Sequence, residues 1–390
     1  MAKEMKLLCI HPALAPYRLD FFNLLAERVD LKVAFVYKNT VNQKFNQKDL
    51  LNEARFDYCY LSGFDVRGRG LRFGIGRPIR QFNPDVVMGY EASPITLWLC
   101  VWRKLSRAKW RLWTSMDEAP DTILSRHGFR RKVRDWIIRH CDGIMVPSVA
   151  AAEAYRQLIV ASRQSLVVSG GAKDKRLMTN DYRLATKFAI VPIIHDTATI
   201  RANAERVSEV GKEWKSQVAP NGEKILLYVG RLATVKNLYW LLEQIKQSSA
   251  LAGIVAVFVG DGPEREGLLS KTSELGLDTR VRFVGRKEGD ELYAIMSAAD
   301  ALVLPSTFEP YGAVVAEAMQ WGTPVILSDM VGAKELVNGL NGCVFDHLDP
   351  IGFENAVEKV LCHKRGTESI LSVELKDSID ELVKALDEIT

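Results

Sequence analysis

The chain has no Cys-x-x-Cys, although it holds six cysteines: Cys9, Cys59, Cys100, Cys141, Cys343 and Cys362. Neither a dithiol redox motif nor a zinc ribbon can be read from them, and scattered single thiols are usual in a reducing compartment. Its six histidines, His11, His127, His140, His195, His347 and His363, form no metal-ligand spacing, and each reads as a surface or packing residue. No apolar stretch approaches the ~20 residues that a membrane span needs. The first apolar run stops at Ile10, before His11-Pro12, so no secretory leader is expected. These absences point to a cytoplasmic protein that holds no metal and does not cross a membrane.

Charge is present in both signs but segregated. Residues 1–195 hold 32 Lys and Arg against 18 Asp and Glu, a balance of +14; residues 196–390 hold 20 against 30, a balance of −10. The first half therefore suits an anionic partner: a lipid surface, a phosphorylated acceptor or nucleic acid. Its basic residues gather in two places. Between Trp98 and Trp113 stand Arg103, Lys104, Arg107, Lys109 and Arg111, interleaved with Trp102 and Trp110. Between Arg126 and Arg139 a helical reading puts Phe129, Val133, Trp136 and Ile137 on one stripe, flanked by arginine that includes Arg130, Arg131 and Arg134. That pattern fits a membrane-surface helix, and equally a core-facing helix with a cationic back. No nucleic-acid motif accompanies it.

The length suggests two or three domains. Lys6–Ile10, Leu31–Tyr37, Asp85–Gly89, Arg111–Thr114 and Asp142–Ser148 read as strands, with helical patterns such as Pro16–Ala26 between them. Strands alternating with helices predict a parallel sheet. Residues 149–223 are the least legible, apart from an apolar run, Phe188–Ile194, within Tyr182–Asp196; a hinge is expected at 196–222. The expected division is residues 1–196 and 197–372, with a tail helix, 373–390, from the helical spacing of Val373–Ile389.

The second half repeats one device. Ile225–Val229 is followed by Gly230-Arg231-Leu232 and then Lys236-Asn237. Val255–Val259 leads to Gly260-Asp261-Gly262-Pro263, and Val281–Val284 to Gly285. Leu302-Val303-Leu304 leads to Ser306-Thr307-Phe308-Glu309-Pro310-Tyr311-Gly312-Ala313, and a helix then carries Glu317. Each unit is a buried strand ending in a turn, where open α/β sheets bind ligands. Arg231 offers a planar fork and Lys236 a mobile point charge, a pair suited to a diphosphate. Glu309 falls in a turn at a strand's end. Glu317 falls in the first turns of a helix, where an acid also simply matches the dipole. A carboxylate accepts two hydroxyl donors, as the vicinal diol of a ribose supplies.

In order and spacing this series, with Ala299-Asp300, Pro305-Ser306, Gly322-Thr323-Pro324 and Asn341-Gly342, closely resembles the C-terminal half of GT-B glycosyltransferases, in particular the retaining family 4, the glycosyl transferases group 1. The resemblance covers residues ~224 to 365. It implies two Rossmann-like, doubly wound parallel-sheet domains facing a central cleft, an acceptor-binding first domain, a nucleotide-sugar-binding second domain, and a tail helix crossing back to the first. It implies that Arg231 and Lys236 bind the donor's diphosphate, that Glu309 and the backbone after it hold the sugar, and that Glu317 binds the ribose. Catalysis is then expected from Glu309, Arg231 and Lys236, and donor binding from Gly230, Gly285, Pro310, Tyr311, Gly312, Ala313 and Glu317 as well. The absence of any Asp-x-Asp argues against a metal-dependent transferase of the other common fold, so no metal and no cofactor beyond the nucleotide sugar are expected.

The first half departs from the family pattern at one point. Many members carry a Gly-Gly loop after the first strand; here it is Ala13-Leu14-Ala15-Pro16-Tyr17-Arg18, where the Arg18 side chain stands in for the missing loop N–H groups or is an exposed helix residue. Asp142-Gly143-Ile144-Met145-Val146-Pro147-Ser148 resembles the step that closes the family's acceptor domain. Asp117 and Glu118 follow a strand and offer a base or a hydroxyl acceptor, or a helix cap. With Arg18 and His127 they form the candidate acceptor site. The expected partners are a nucleotide sugar, a glycan or lipid-linked acceptor and the inner face of a cytoplasmic membrane, with no nucleic acid. Two rivals remain: a sugar-nucleotide epimerase on the same fold, and a non-catalytic binding protein derived from a transferase.

Overall fold

The computed structural model describes residues 5–38, 46–66, 69–72, 74–169, 186–362 and 366–388; Tyr182 and His363 lie outside them. The chain forms two compact units, residues 1–193 with 375–390, and residues 194–374.

The first unit is built on a seven-stranded, wholly parallel sheet. Its strands are β1 (Lys6–His11), β2 (Asp30–Phe35), β3 (Asp57–Tyr60), β6 (Val86–Tyr90), β7 (Arg111–Ser115), β8 (Gly143–Val146) and β9 (Lys187–Ile190). Two short strands, β4 (Gly63–Val66) and β5 (Arg69–Arg72), make a separate antiparallel hairpin. The spatial order is β3-β2-β1-β6-β7-β8-β9. Leu7–Ile10, Val86–Met88 and Gly143–Val146 are buried throughout, as continuous aliphatic runs are when helices cover both faces of a parallel sheet. One cluster joins Leu8, Ile10, Val87, Leu99, Cys100, Leu112, Ile137 and Cys141; a second joins Ile138, Ile144, Val146, Tyr155 and Leu158. The helix Leu375–Asp387 packs on the helix Pro16–Ala26 and on β9, with Ile379, Leu382 and Leu386 inward. Arg28 meets Asp380 at 2.7 Å and Lys187 meets Glu388 at 3.1 Å.

The second unit holds six parallel strands: β10 (Lys224–Val229), β11 (Ile254–Val259), β12 (Val281–Gly285), β13 (Ala301–Leu304), β14 (Val325–Ser328) and β15 (Gly342–Phe345). They lie in the order β12-β11-β10-β13-β14-β15. Residues 196–222, expected as a hinge, form the helices Thr197–Ile200 and Ala204–Val218 of this unit, because Val207 is buried and the longer helix packs along Gly289–Ala298.

In both sheets the order reverses once, between β1 and β6 and between β10 and β13. Connections leave in opposite directions from such a point, and open a crevice at the carboxyl ends of the two strands.

The arginine-rich helix Gly128–His140 packs Val133, Trp136 and Ile137 of its expected stripe on the core, and differs from the expected pattern at two residues. Phe129, placed on the apolar stripe by periodicity, is 79% exposed, and Arg134, placed on the cationic back, is 0% exposed. The buried face is Arg134, Asp135, Ile137 and Ile138. Arg134 turns inward because Glu118 and Asp135 each meet its guanidinium at 3.6 Å.

Candidate active site

In the second unit the reversal point carries the expected residues. β10 ends at Val229, and Gly230 turns the chain with φ +154°. The buried Tyr228 hydroxyl donates to the Arg231 carbonyl at 2.9 Å, which fixes the turn from below. Arg231 itself is exposed, and among the described residues its guanidinium has no partner. A short 3-10 turn, Thr234–Lys236, follows, and Asn237 with φ +57° starts the helix Leu238–Gln247.

Across the crevice, the loop after β13 is tied to its neighbours by backbone. The Thr307 N–H donates to the Val235 carbonyl at 2.9 Å, joining it to the Arg231–Lys236 turn. Glu309 donates its N–H to Met330 at 3.2 Å and accepts from Gly332 at 3.0 Å, and Ala333 donates to Tyr311 at 2.7 Å. So close a pairing needs a bare backbone: a Cβ on Gly332 would lie 2.2 Å from the Pro310 carbonyl. Likewise a Cβ on Gly260, φ +134°, would lie 1.9 Å from the Gly230 carbonyl, and Gly260 donates to the Gly285 carbonyl at 2.8 Å. The three turns after β10, β11 and β12 therefore nest on glycine.

This framework brings Lys236 and Glu309 together. Their Nζ and Oε2 form a hydrogen-bonded ion pair, with both side chains mostly sheltered. The Glu309 charge also adds to burial in pushing the Tyr228 phenol above its ordinary pKa. Gly312 follows with φ +92°, and Ala313 precedes the helix Val314–Gln320. Glu317, in that helix, lies 3.7 Å from His195 Nε2. Gln320 donates to the His195 carbonyl at 2.8 Å and to the Thr197 hydroxyl at 3.1 Å. His195 belongs to this site as a support of Glu317, a role that its place outside every motif conceals.

In the first unit the reversal point gathers charge differently. Arg18 is buried, meets Asp117 at 2.7 Å, and lies 5.5 Å from the Phe21 ring centre. Glu118 is buried among Arg126, Arg134 and Tyr155, whose hydroxyl donates to it at 2.9 Å. Burial and the Arg18 charge push the His11 imidazole down to about 3, and its Nδ1 lies 3.0 Å from the Ala13 carbonyl. His127 is exposed at the start of Gly128–His140, and among the described residues no hydrogen bond or ion pair joins it to the others.

One carboxylate here escaped the sequence. Glu91 directly follows β6, in a left-handed conformation with φ +45°. Its N–H donates to the Ser115 carbonyl at 2.6 Å and its own carbonyl accepts from Thr114 Oγ1 at 3.2 Å, so the backbone is held on both sides. A bulky residue rarely adopts this conformation. Among the described residues the Glu91 carboxylate has no ion-pair or hydrogen-bond partner. The residue keeps solvent contact, and desolvation by its neighbours first, then the Asp117 and Glu118 charges, raise its pKa.

Among the described residues one group offers metal-ligand types, Asp329, Asp346 and His347 at the ends of β14 and β15. His347 Nδ1 is already 2.8 Å from Asp329 Oδ1, which leaves the group reading as a structural His–Asp pair.

Residues 211–370 match the family model of the glycosyl transferases group 1, so the second unit carries the group 1 region that the motif series resembles. An uncharacterised glycosyltransferase of Methanocaldococcus jannaschii is 33% identical over 156 residues, 40% of this chain and 40% of that protein. The lipopolysaccharide core biosynthesis glycosyltransferase LpsE of Rhizobium meliloti is 29% identical over 180 residues, 40% of this chain and 51% of that protein. The chain thus spans about two fifths to half the length of these two relatives. Among solved structures, the Anabaena protein HepE in complex with UDP superposes with a TM-score of 0.68 at 18% identity, covering 99% of this chain and 100% of that one. The fold of this chain is the GT-B fold.

Proposed function

We propose that this protein is a retaining glycosyltransferase, moving a sugar from a nucleotide-diphosphate sugar to a hydroxyl of a glycan or lipid-linked acceptor. The observation that carries the reading is the second unit's reversal point. There an unpartnered Arg231 stands on the turn that also supplies Lys236, and Lys236 meets Glu309 from the opposite strand end. Arg231 and Lys236 take the diphosphate and offset the negative charge that grows on it as the glycosidic bond breaks. Those side-chain cations make a resident metal unnecessary. Glu309 accepts hydrogen bonds from sugar hydroxyls, and Glu317, braced by His195, accepts from the ribose diol. Gly230, Gly285, Pro310, Tyr311, Gly312 and Ala313 supply the backbone close to the donor. Glu309, paired with Lys236, is assigned to holding sugar hydroxyls and not to covalent attack, so departure and attack are assigned to the same face of the sugar.

Two of the expected acceptor residues carry a revised role. Asp117 and Glu118 are neutralised by Arg18, Arg126 and Arg134, and act as supports. Glu91, with its carboxylate free and its pKa raised, is the group that accepts the hydrogen bond of the acceptor hydroxyl. Since the related Anabaena protein has also been solved in complex with UDP-glucose, uridine nucleotides head the donors to test. A lipid-linked acceptor would place the reaction at the inner face of a cytoplasmic membrane.

The test is a mass-spectrometric screen of nucleotide sugars with and without candidate acceptors. Release of the nucleoside diphosphate, with the sugar passing to water or acceptor, is expected. An altered sugar still on its nucleotide would make the protein an epimerase, and binding without turnover would make it a binding module. Glu91→Gln should raise the acceptor KM about tenfold and leave donor hydrolysis unchanged; equal loss of both would remove Glu91 from the acceptor site.

A further inference from the structure

We propose that the first unit docks on an anionic lipid surface through the outer side of the helix Pro94–Ser106. This inference rests on the reading of a lipid-linked acceptor, and it relocates the membrane contact from the arginine helix to which the sequence pointed.

The helix is fixed to its unit along one face. Ser93 caps it by accepting from the Thr96 N–H at 3.2 Å, and Pro94 stands at its first turn. Thr96, Leu99 and Cys100 are buried against the core, and Arg103 is held in a two-pronged contact with Asp142 at 2.6 and 2.9 Å. The opposite side presents Pro94, Trp98, Val101 and Leu105, successively four, three and four residues apart, which lines them up on a single stripe. Trp98 is 42% exposed, Val101 40% and Leu105 79%. The Trp98 ring is braced by Trp102, with ring centres 4.6 Å apart. Apolar residues scattered singly over a surface need no explanation, whereas a contiguous stripe of them does.

Charge selects the occupant. Lys104, Arg107 and Lys109 at the end of this helix are exposed, as are Arg130 and Lys132 on Gly128–His140, which packs beside it. Among the described residues none of these five side chains has an ion pair or hydrogen bond. The nearby arginines with internal work, Arg103 and Arg134, are already paired with Asp142 and Glu118. Phe129, exposed at the start of the neighbouring helix, adds a second aromatic. An apolar stripe with tryptophan, bordered by uncompensated cations, suits the boundary between headgroups and acyl chains. No helix among the described residues is long and apolar enough to cross a membrane, so the contact is peripheral.

Flotation of the full chain with vesicles tests this. Wild-type protein should float with phosphatidylglycerol–phosphatidylcholine vesicles at low salt and be released at high salt. It should stay behind with phosphatidylcholine alone. The triple variant Trp98→Ser, Val101→Ser, Leu105→Ser should lose about tenfold or more of its partition. So should Lys104→Ser, Arg107→Ser, Lys109→Ser, and this second variant carries the test if the first does not fold by thermal melt. Both should hydrolyse donor at the wild-type rate. The proposal is overturned if wild-type protein does not float, if it floats equally with phosphatidylcholine, or if a folded variant floats undiminished. Failure of the transferase reading shows separately, as absent donor turnover, whatever the flotation result.

Discussion

The two strand edges of this molecule assemble charge in opposite ways. In the second unit, turns are knitted backbone to backbone, and glycines let them approach closely enough to do so. The charged side chains above that framework are left with little structural work: among the described residues Arg231 has no partner, and Lys236 and Glu309 have each other. In the first unit, charged side chains are themselves the framework. Arg18 and Arg134 are buried, and Asp117 and Glu118 neutralise them. A site built on backbone can expose its charges to a ligand. A site built on buried ion pairs has already used them, so its free group, Glu91, is the one held by strand-end backbone.

The largest effect should come from breaking that distinction with one substitution in each unit. Among the described residues, Glu118→Ala leaves the buried guanidinium of Arg134 with Asp135 as its one remaining carboxylate, and it deprives Tyr155 of its acceptor. Removing one partner of a buried pair costs about 3–5 kcal/mol, read by urea unfolding. Lys236→Ala breaks a pair that is mostly sheltered but not fully buried and should cost about 1–2 kcal/mol of stability, while weakening nucleoside diphosphate binding and sparing the bare nucleoside. Equal destabilisation by the two would erase the contrast, and an equal fall in both affinities would make Lys236 structural.

Gly260→Ala tests the backbone framework itself. A methyl group there meets the Gly230 carbonyl, at a φ that alanine avoids. A loss of about 3 kcal/mol is expected, with the turn carrying Arg231 displaced and donor affinity falling too. A variant as stable as wild type would show that the nested turns are looser than their contacts indicate.

A step smaller is Glu317→Ala. It removes a carboxylate that supports little of the fold, so the melting temperature should hold. The donor KM should rise by about 1.5–3 kcal/mol in equivalent terms, roughly ten- to a hundredfold. Unchanged donor binding by calorimetry would remove the ribose role.

This contrast also governs what the sequence discloses. Strand, glycine turn and helix lie consecutively in the second unit, so Gly230, Arg231 and Glu309 can be placed at strand ends, and Glu317 in the following helix, from spacing alone. His195 is invisible to that method, because it reaches Glu317 through a fold contact across more than a hundred residues. In the first unit, periodicity correctly makes Gly128–His140 a helix and puts Val133, Trp136 and Ile137 on its packed face, but it misplaces Phe129 and Arg134. An arginine counts as outward until its buried carboxylates are known, and Glu118 comes from another segment. Glu91 carries no motif, and its signal is a backbone angle that no composition reports.

The smallest of the expected effects sharpens the comparison through pH. His11 ends β1 beside Arg18, its ring packed edge-on to Phe22 at 5.5 Å. Burial lowers its pKa most, the Arg18 charge lowers it further, and the Asp117 charge and the Ala13 carbonyl raise it in part, leaving a value of about 3. The unfolded chain protonates histidine near 6.5. Between those two values the unfolded state binds a proton that the native state refuses, so stability is lost as pH falls below about 6.5 and the loss levels off near 3. At pH 5 the full linkage is about 2 kcal/mol, and partial exposure of the residue brings the expected figure to about 1–2 kcal/mol. His11→Asn should flatten the stability profile between pH 7 and 5 by that amount in urea titrations. Asp117→Asn should leave the slope between pH 7 and 5 as in wild type, where the native imidazole is already neutral, and should carry the loss of stability to lower pH, because it removes a negative charge that favours the imidazolium. If His11→Asn leaves the slope between pH 7 and 5 unchanged, His11 is not held neutral by the Arg18 framework. The first unit's strand edge would then be as open to solvent and ligand as the second's.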